Sequence, residues 1–521
     1  MKAARNPAET LFTPRNPLGP SVVSDRVSIP VLRAIYDTRV HLHLRSKDNP
    51  PTFIVGRRGS GKTALLLSRE FEPRNLVVRL SAHGVFSRLQ AATELLAIPL
   101  VLSVEGVAEL WETLLWAPII GRLVAERHDC DPDRAFQVLW EETAALRQDV
   151  AGSDSRDDAA LDFVTTRLIE HVDQFDNVVS LEKLSRDFRL SRRPWKETIE
   201  AAKSVLDARD TPVFVLIDSL ENIGDHIERI EGVLRGLFHL VGRLGLRIDR
   251  TYFRIQCCFP SELWPVLDRV SANPIKDFSG RMVLRWTWQD LLRTVGARLH
   301  MFLTRHYPEL LRGLPDDGYL TLLDRVIVPE LKNRAGLPER SVAYVLRHTQ
   351  LLPRQVLYIF NEALHRAIAT TGRPVVDGNH ILETVTEAEA TLCPEVFSAH
   401  HFRHPKAHDV ARRLIPYLPF RFDDAFLHRM CNQAGIRREF GLDYREVREM
   451  FTDVGIIGRL TGESERYLKA EFAYAAEGQM ILSPDEEYCL HPLFVREYNA
   501  RGRVSSPASK PVYPSGTPEP S

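Results

Sequence analysis

The sequence predicts a mixed α/β fold: a parallel sheet with a large helical insertion, then a helical lid and a C-terminal winged helix. Three observations predict this architecture. Short apolar runs rich in β-branched residues alternate with helical segments before residue 260. A long stretch of helical periodicity, at 83–205, separates two of these runs. Three helical patterns followed by two β-like runs, near the C-terminal end, have the element order of a winged helix.

Length and composition define the broad class of protein. A chain of 521 residues predicts roughly two to four domains. Its apolar content of 44% and charged content of 26% are typical of soluble globular proteins. No apolar run reaches the ~20 residues of a membrane helix, and the N-terminal MKAARNPAETLFTP lacks the apolar segment of a secretory signal. We therefore expect a cytoplasmic protein without a membrane partner.

The first half of the chain is predicted to form the α/β core. Residues 1–28 are rich in proline and are expected to form an extended lead-in. Within the core, 29–285, buried strands are predicted at FIVG (53–56), LVVRL (76–80), PVFVLID (212–218) and TYFRIQCCF (251–259). The helical insertion, 83–205, contains Trp111 and Trp116, which are expected to pack in a core. Partner contact and rigid packing are both open as uses of the insertion.

Three further regions complete the predicted organisation. Residues 286–395 are expected to form the helical lid. Residues 405–500 are expected to form the winged helix, with helices near 406–418, 423–433 and 443–454 followed by YLKAEFAYA and YCLHPLF as strands. The tail, 502–521, combines prolines with small polar residues and is predicted to be disordered.

The stretch GRRGSGKT has the spacing of a phosphate-binding loop, G-x-x-x-x-G-K-[ST], and lies between a predicted strand and a predicted helix. Its glycines let backbone N–H groups turn toward phosphate oxygens, since a Cβ atom would obstruct that approach. Lys62 is expected to contact the β and γ phosphates, and the Thr63 hydroxyl to bind Mg²⁺. The predicted nucleotide-binding residues are Gly56, Arg57, Arg58, Gly59, Ser60, Gly61, Lys62, Thr63 and Ala64.

A second element of such a site is an acidic residue at the end of a buried strand. The run VFVLIDSLEN places Asp218 there, and we expect it to hold Mg²⁺ together with Thr63. In many ATPases with such a loop a glutamate directly follows the aspartate, where this chain has Ser219. Glu221 is therefore the candidate for orienting the attacking water. The alternative interpretation of Glu221 is a solvated charge near a helix start.

With both elements placed, the chain resembles an additional-strand P-loop ATPase of the AAA+ and STAND neighbourhood. More narrowly, it is similar to a family of bacterial P-loop ATPases of unassigned role, related to origin-recognition proteins. The resemblance covers most of residues 15–500. It is carried by NPLG (17–20), GRRGSGKTAL, LIDSLEN, NPIKDFSGRMVLRWTWQDLLRTVGARL (273–299), LLPRQVLYIFNEAL (351–364) and LHPLFVREY.

The resemblance implies two further site residues. In such proteins a polar residue after the strand that follows the aspartate strand senses the γ phosphate. Ser261, with Glu262 beside it, is the nearest match, although Pro260 departs from the polar pattern. An arginine near a helix start in the lid reaches back to the nucleotide, and Arg354 in LLPRQV matches it. Arg354 as an ordinary surface residue of a lid helix remains the alternative.

Two interpretations of function follow. The first is an ATP-binding, Mg²⁺-dependent ATPase that acts as a nucleotide-dependent switch, with a protein partner or a second copy of the chain. The resemblance implies roles in regulation or defence. The second is a DNA-binding or loading ATPase that uses the winged helix. LDYREVREMFTDV carries four carboxylates (Asp443, Glu446, Glu449, Asp453) against two arginines, a balance that disfavours phosphate-backbone contact.

Overall fold

The structure is a computed structural model, which describes residues 11–23, 27–36, 52–72, 75–81, 84–85, 87–88, 104–126, 156–172, 193–208, 213–218, 227–245, 252–264, 280–315, 318–476, 478–500 and 510–519. The fold is a mixed α/β fold with a five-stranded, all-parallel sheet and many helices. Within the described part of the chain, no helix is long and apolar enough to cross a membrane.

The parallel sheet contains the four predicted strands and one more. Its strands are β1 (Phe53–Gly56), β2 (Val77–Ser81), β3 (Val213–Asp218), β4 (Phe253–Pro260) and β5 (Arg281–Val283). Their order in the sheet is β2-β3-β4-β1-β5, so β4 lies between β1 and β3. The carboxyl ends of parallel strands meet at one edge of the sheet, and this edge carries Gly56, Asp218 and Pro260.

The helices of the insertion, together with α6, cover one face of the sheet. Helices α1 (Ile29–Ile35) and α2 (Lys62–Leu67) precede the insertion, whose described helices are α3 (Val104–Glu126), α4 (Arg156–Val172) and α5 (Arg193–Asp207). The insertion shares one apolar core with α6 (Ile227–Gly245) and with the side chains of Phe53 and Val215. Trp111 and Trp116 are buried in this core, as predicted. The described helices of the insertion therefore pack on the sheet.

The opposite face of the sheet packs against the lid through a second core that includes Ile54, Leu216 and Phe360. The lid contains α7 (Trp288–His306), α8 (Tyr319–Val326), α9 (Ser341–Arg347), α10 (Pro353–Thr371) and α11 (Gly378–His400). A hairpin, β6 (Glu330–Lys332) and β7 (Pro338–Arg340), interrupts these helices. The sequence pattern did not predict this hairpin, because its strands are three residues long and mostly exposed.

The C-terminal domain combines short helices with a second five-stranded sheet. Its helices are α12 (Ala407–Leu414), α13 (Asp424–Gln433), α14 (Ile436–Phe440), α15 (Tyr444–Val454) and α16 (Pro492–Val495). Its strands are β8 (Arg421–Asp423), β9 (Ile457–Glu463), β10 (Leu468–Glu471), β11 (Glu487–Leu490) and β12 (Val512–Pro514). Asp443 and Glu446 form a capping box at the start of α15.

The tail corrects one prediction. Residues 502–521 were expected to be disordered, yet β12 lies within them and pairs in parallel with β10. Val512 and Tyr513 are buried, and the Tyr513 hydroxyl donates a hydrogen bond to Glu339 in the lid. Proline and serine made the composition resemble a disordered segment, but two large apolar side chains are enough to anchor a three-residue edge strand.

The lead-in corrects a second prediction. Residues 11–23 are not extended: Thr13 and Asn16 exchange main-chain hydrogen bonds across a turn, and Phe12 and Leu18 are fully buried against the lid. The buried guanidinium of Arg298 on α7 donates to the main-chain oxygens of Leu18 (3.2 Å) and Pro20 (2.6 Å). These contacts hold the lead-in beside the end of α1.

Candidate functional site

The loop from Gly56 to Thr63, here called the cradle, joins β1 to α2 at the carboxyl edge of the sheet. Gly59 and Gly61 both adopt φ +86°, in the left-handed region that favours glycine. A Cβ atom at Gly56 would lie 2.6 Å from the Ser60 Oγ atom. The sequence pattern therefore places glycine where the backbone conformation and the packing of the loop require it.

The side chain of Lys62 lies across the cradle. Lys62 is only 6% exposed, and its Nζ atom donates to the main-chain oxygen of Arg57 at 3.1 Å. The Ser60 hydroxyl is buried and has no hydrogen-bond partner among the described residues. It packs against Gly56 inside the loop, which is why the loop has no room for a Cβ atom there.

Trp286, which follows β5, fixes the other side of the cradle. Its Nε1 atom donates to the main-chain oxygen of Ser60 at 2.7 Å, and its ring lies beside Gly61. The hydrogen bond holds one carbonyl of the loop outward. An outward carbonyl is needed in an anion site, because carbonyl oxygens repel phosphate oxygens.

Asp218 and Thr63, the two residues predicted to bind Mg²⁺, both lie at the carboxyl edge of the sheet. Asp218 is the last residue of β3, is 9% exposed and lies in register with Ser81 of β2. Thr63 is the second residue of α2, which packs against β3 and β4 and carries Thr63 into the cavity at the cradle. A hydroxyl and a carboxylate at one sheet edge are suitable oxygen ligands for Mg²⁺. Glu221 lies outside the described residues.

The end of β4 contributes a carboxylate to the cradle. Glu262 is largely buried, and its Oε1 atom accepts a hydrogen bond from the Arg58 main-chain N–H at 2.9 Å. The predicted sensor, Ser261, contacts Glu262 through its hydroxyl at 3.4 Å. In this structure the carboxylate, rather than the hydroxyl, touches the loop.

Arg354 of the lid contacts the cradle at Gly59. An ideal Cβ atom at Gly59 would lie 3.3 Å from the Arg354 Cβ atom and 3.5 Å from its Nε atom. The Nη1 atom donates to Glu395 of α11 at 2.6 Å, whereas Nε is buried without a hydrogen-bond partner among the described residues. The guanidinium is therefore held over the loop by a neighbouring lid helix.

Arg57 connects the cradle to two other regions. Its Nη1 atom donates to the main-chain oxygen of Gln350 at 3.1 Å, and Nη2 donates to the Gln350 side chain. Its guanidinium also lies 5.1 Å from the centre of the Tyr474 ring in the C-terminal domain. Burial lowers the pKa of Arg57, while Glu262 and Tyr474 act in the opposite direction.

A cavity of about 80 Å³ opens at the cradle. Its lining combines Lys62 and Thr63 of the cradle with two arginines, Arg298 and Arg354. Apolar side chains of the lead-in and the lid, including Val22, Val23 and Leu357, complete it.

The sequence pattern located the local part of this site but missed Trp286, Gln350, Tyr474 and the contact of Glu262.

Compared with known proteins, the sequence matches no protein-family model and no curated protein. The functional conclusion therefore depends on the residues and on their geometry.

Proposed function

We propose that the protein is an ATP-binding, Mg²⁺-dependent P-loop ATPase that acts as a nucleotide-dependent switch in the cytoplasm. The observation that carries the proposal is the cradle, in which Gly59, Gly61 and Lys62 have the spacing and backbone conformation that surround phosphate oxygens. The strand order supports the additional-strand class, since one strand, β4, separates the cradle strand from the aspartate strand.

The roles of the chain's own residues follow from their positions. The ammonium of Lys62 would balance phosphate charge, and Thr63 and Asp218 would hold Mg²⁺. Bound Mg²⁺ would neutralise the charge that develops on the transferred phosphoryl group. Glu221 remains the proposed water-orienting residue, and Glu262 is a second carboxylate suited to that role because it touches the cradle. Arg354 would contact bound nucleotide and so couple nucleotide binding to the position of the lid.

The switch depends on Lys62 and Arg57. In the structure Lys62 donates to the main-chain oxygen of Arg57, whose side chain holds Gln350. A phosphate group in the cradle would compete with that oxygen for the ammonium. The main chain at Arg57 would then lose a charge-assisted hydrogen bond, and its side chain is already joined to the lid and to Tyr474. Phosphate binding in the cradle would therefore change contacts with the lid and with the C-terminal domain.

The charges of the C-terminal domain support a switch over a DNA reader. Its helices followed by β9 and β10 are proposed to form a winged helix, with α15 as the helix that would face DNA. Arg448 on α15 is paired with Asp424 at 2.6 Å. On the same helix, Glu449 and Asp453 both pair with Arg403. A helix with this charge pattern suits contact with protein, from the same chain or a partner, better than contact with phosphates.

Binding and steady-state hydrolysis of ATP by purified protein test the proposal. Lys62→Ala and Asp218→Asn should abolish turnover, and Lys62→Ala should weaken ATP binding at least tenfold. Lys332→Ala, which removes an exposed lysine from β6, is the matched control and should behave as the wild type. Equal ATP binding by Lys62→Ala and Lys332→Ala would overturn the proposal. Turnover raised by duplex DNA, with steep salt dependence of DNA binding, would favour the loading ATPase.

A further inference from the structure

A second cavity, of about 390 Å³, lies where the lid meets the C-terminal domain. This volume is within the range of small-molecule sites. The lid contributes the hairpin turn, α9 and α11 to its lining. The C-terminal domain and β12 form the other side, which includes Phe420, Val495, Arg496 and Val512.

The polar residues that line the second cavity include a buried histidine–glutamate pair. The Nδ1 atom of His348 lies 2.8 Å from the Oε1 atom of Glu389, and the two residues are 8% and 3% exposed. The remaining polar atom of each side chain, His348 Nε2 and Glu389 Oε2, is buried with no hydrogen-bond partner among the described residues. Both atoms are enclosed by protein, so the pair forms a buried, internally hydrogen-bonded part of the cavity wall.

The charge of the second cavity is positive. Arg347 is neutralised by a two-pronged ion pair with Glu339. No carboxylate among the described residues forms an ion pair with Arg334 or Arg496, and the Nη1 atom of Arg496 is buried without a hydrogen-bond partner there. Arg334 is exposed and donates to Thr386; Glu497, beside Arg496, is exposed.

The histidine–glutamate pair does not cancel this charge. Burial raises the pKa of Glu389 to about 8. Burial, reinforced by the nearby Arg347, lowers the pKa of His348 well below its ordinary value. At neutral pH the pair therefore has little net charge, whereas Arg334 and Arg496 supply two positive charges.

We propose that the second cavity binds a small organic anion with about two negative charges and an apolar or aromatic body. The arginines suit a phosphate monoester or a dicarboxylate, because a guanidinium donates two parallel hydrogen bonds to either group. The apolar body would pack against Tyr344, Phe420, Val495 and Val512.

The second cavity is connected to the cradle by a short turn. Residues 348–352, here called the lid turn, join α9 to α10. Its first residue, His348, lines the cavity, and its third residue, Gln350, holds Arg57 of the cradle. Leu351, between Gln350 and α10, adopts φ 52° and touches Gly516 just beyond β12. A ligand that orders the lid turn would change nucleotide affinity; this coupling, unlike the binding itself, rests on the proposed function.

Calorimetry with phenyl phosphate and phthalate tests the binding. It is performed in the Lys62→Ala chain, so that the cradle does not contribute to phosphate binding. At least one probe should bind, and Arg334→Gln and Arg496→Gln should each weaken it at least tenfold. Arg366→Gln, at a half-buried arginine of α10 outside the cavity, is the control and should have no effect. Inorganic phosphate, which lacks the apolar body, should bind more weakly than phenyl phosphate.

Two outcomes would overturn the site: no binding of either probe at millimolar concentration, or equal binding by the two cavity variants and the Arg366→Gln control. Arg334 is exposed, so its variant is informative even where Arg496→Gln fails to fold. Coupling is measured separately, as the affinity for ADP in the chain with Lys62, with and without saturating probe. A change of at least threefold that Gln350→Ala removes would support it, and an unchanged affinity would refute it. Failure of ADP to bind would count against the proposed function and leave the probe-binding result intact.

Discussion

Arg57 and Gln350, 293 residues apart in the sequence, are joined by two hydrogen bonds, one to the main chain and one to the side chain of Gln350. The Nε2 atom of Gln350 in turn donates to the last residue of α15, Val454, at 3.0 Å. One glutamine thus connects the cradle, the lid and the C-terminal domain. The loop that would hold phosphate is a structural part of the domain interface.

The first prediction concerns this pair. Arg57→Ala should lower the free energy of unfolding by about 2 kcal/mol, because a charged donor is lost and the acceptors of Gln350 stay buried. Gln350→Ala should be similarly destabilising. In a double-mutant cycle measured by urea denaturation, the two changes should be less than additive by about 1 kcal/mol. Strict additivity would mean that the pair does not couple the two regions.

Glu262 gives the second prediction. Glu262→Gln keeps an acceptor for the Arg58 N–H but removes the negative charge. If the carboxylate orients water, ATP turnover should fall by about 100-fold with ATP affinity little changed. Ser261→Ala is the control, since it removes the neighbouring hydroxyl and should have a smaller effect. Unchanged turnover in Glu262→Gln would restrict Glu262 to holding the loop.

Two arginines of one helix allow a matched third test. Arg354 and Arg366 both lie on α10 and both pair with glutamates of α11, but only Arg354 touches the cradle. Arg354→Ala should weaken ATP binding about tenfold through loss of a charge-assisted contact. Arg366→Ala should leave ATP binding unchanged. Equal effects in a fluorescence-titration comparison would assign Arg354 to packing alone.

The tail strand is the subject of the fourth prediction. Tyr513 is buried between Arg347 and Glu339, with the Arg347 guanidinium 5.6 Å from its ring centre. Tyr513→Ala should cost about 3 kcal/mol of stability, as for other buried aromatic truncations. Glu519→Ala, which removes an exposed ion pair with Lys469, should change stability by less than about 0.5 kcal/mol. Similar thermal midpoints for both variants would contradict the burial of β12.

The fifth prediction is a pH dependence. Burial, with Arg57 nearby, lowers the pKa of His400 and of His491 to about 3. Both imidazoles are thus neutral in the fold but gain protons below about pH 6.5 once unfolded. Their contribution to stability is present above that pH and is lost as pH falls toward 3.

The size of this dependence is measurable. Between pH 7 and pH 5 each buried histidine should remove about 2 kcal/mol from the free energy of unfolding. His491→Asn retains an acceptor for the Leu493 N–H and should flatten the loss by that amount. His401→Asn, an exposed position, should not. Parallel pH profiles for wild type and His491→Asn in urea denaturation would contradict the assignment.

Much of the fold is predictable from the sequence because local chemistry determines it. Strands β1 to β4 are buried apolar runs, and the cradle is a contiguous motif. The sequence pattern does not predict strands β5, β6 and β7, since each has only three residues and the side chains at both ends are exposed. Strand β12 escapes because proline and serine around Tyr513 resemble a disordered tail.

The candidate site likewise combines residues that the sequence predicts with residues that it does not. Lys62 and Thr63 belong to one motif, whereas Arg354 was expected from the family resemblance. Gln350 and Trp286 could not be predicted, since they reach the cradle from segments more than 220 residues away in sequence. Periodicity and motif spacing contain no information on which distant polar residue completes a loop's hydrogen bonds.

The insertion has a consequence for how the chain folds. Ser81 of β2 and Asp218 of β3 are neighbours in the sheet, although 137 positions (218 minus 81) separate them. Closing a flexible loop of that length has a length-dependent entropic cost of roughly 4 kcal/mol. Formation of helices α3 to α5 before the sheet closes would shorten the effective loop. During synthesis, β1 and β2 are made long before the strands that lie beside them, so refolding should be slow and early fragments of the core should depend on chaperones.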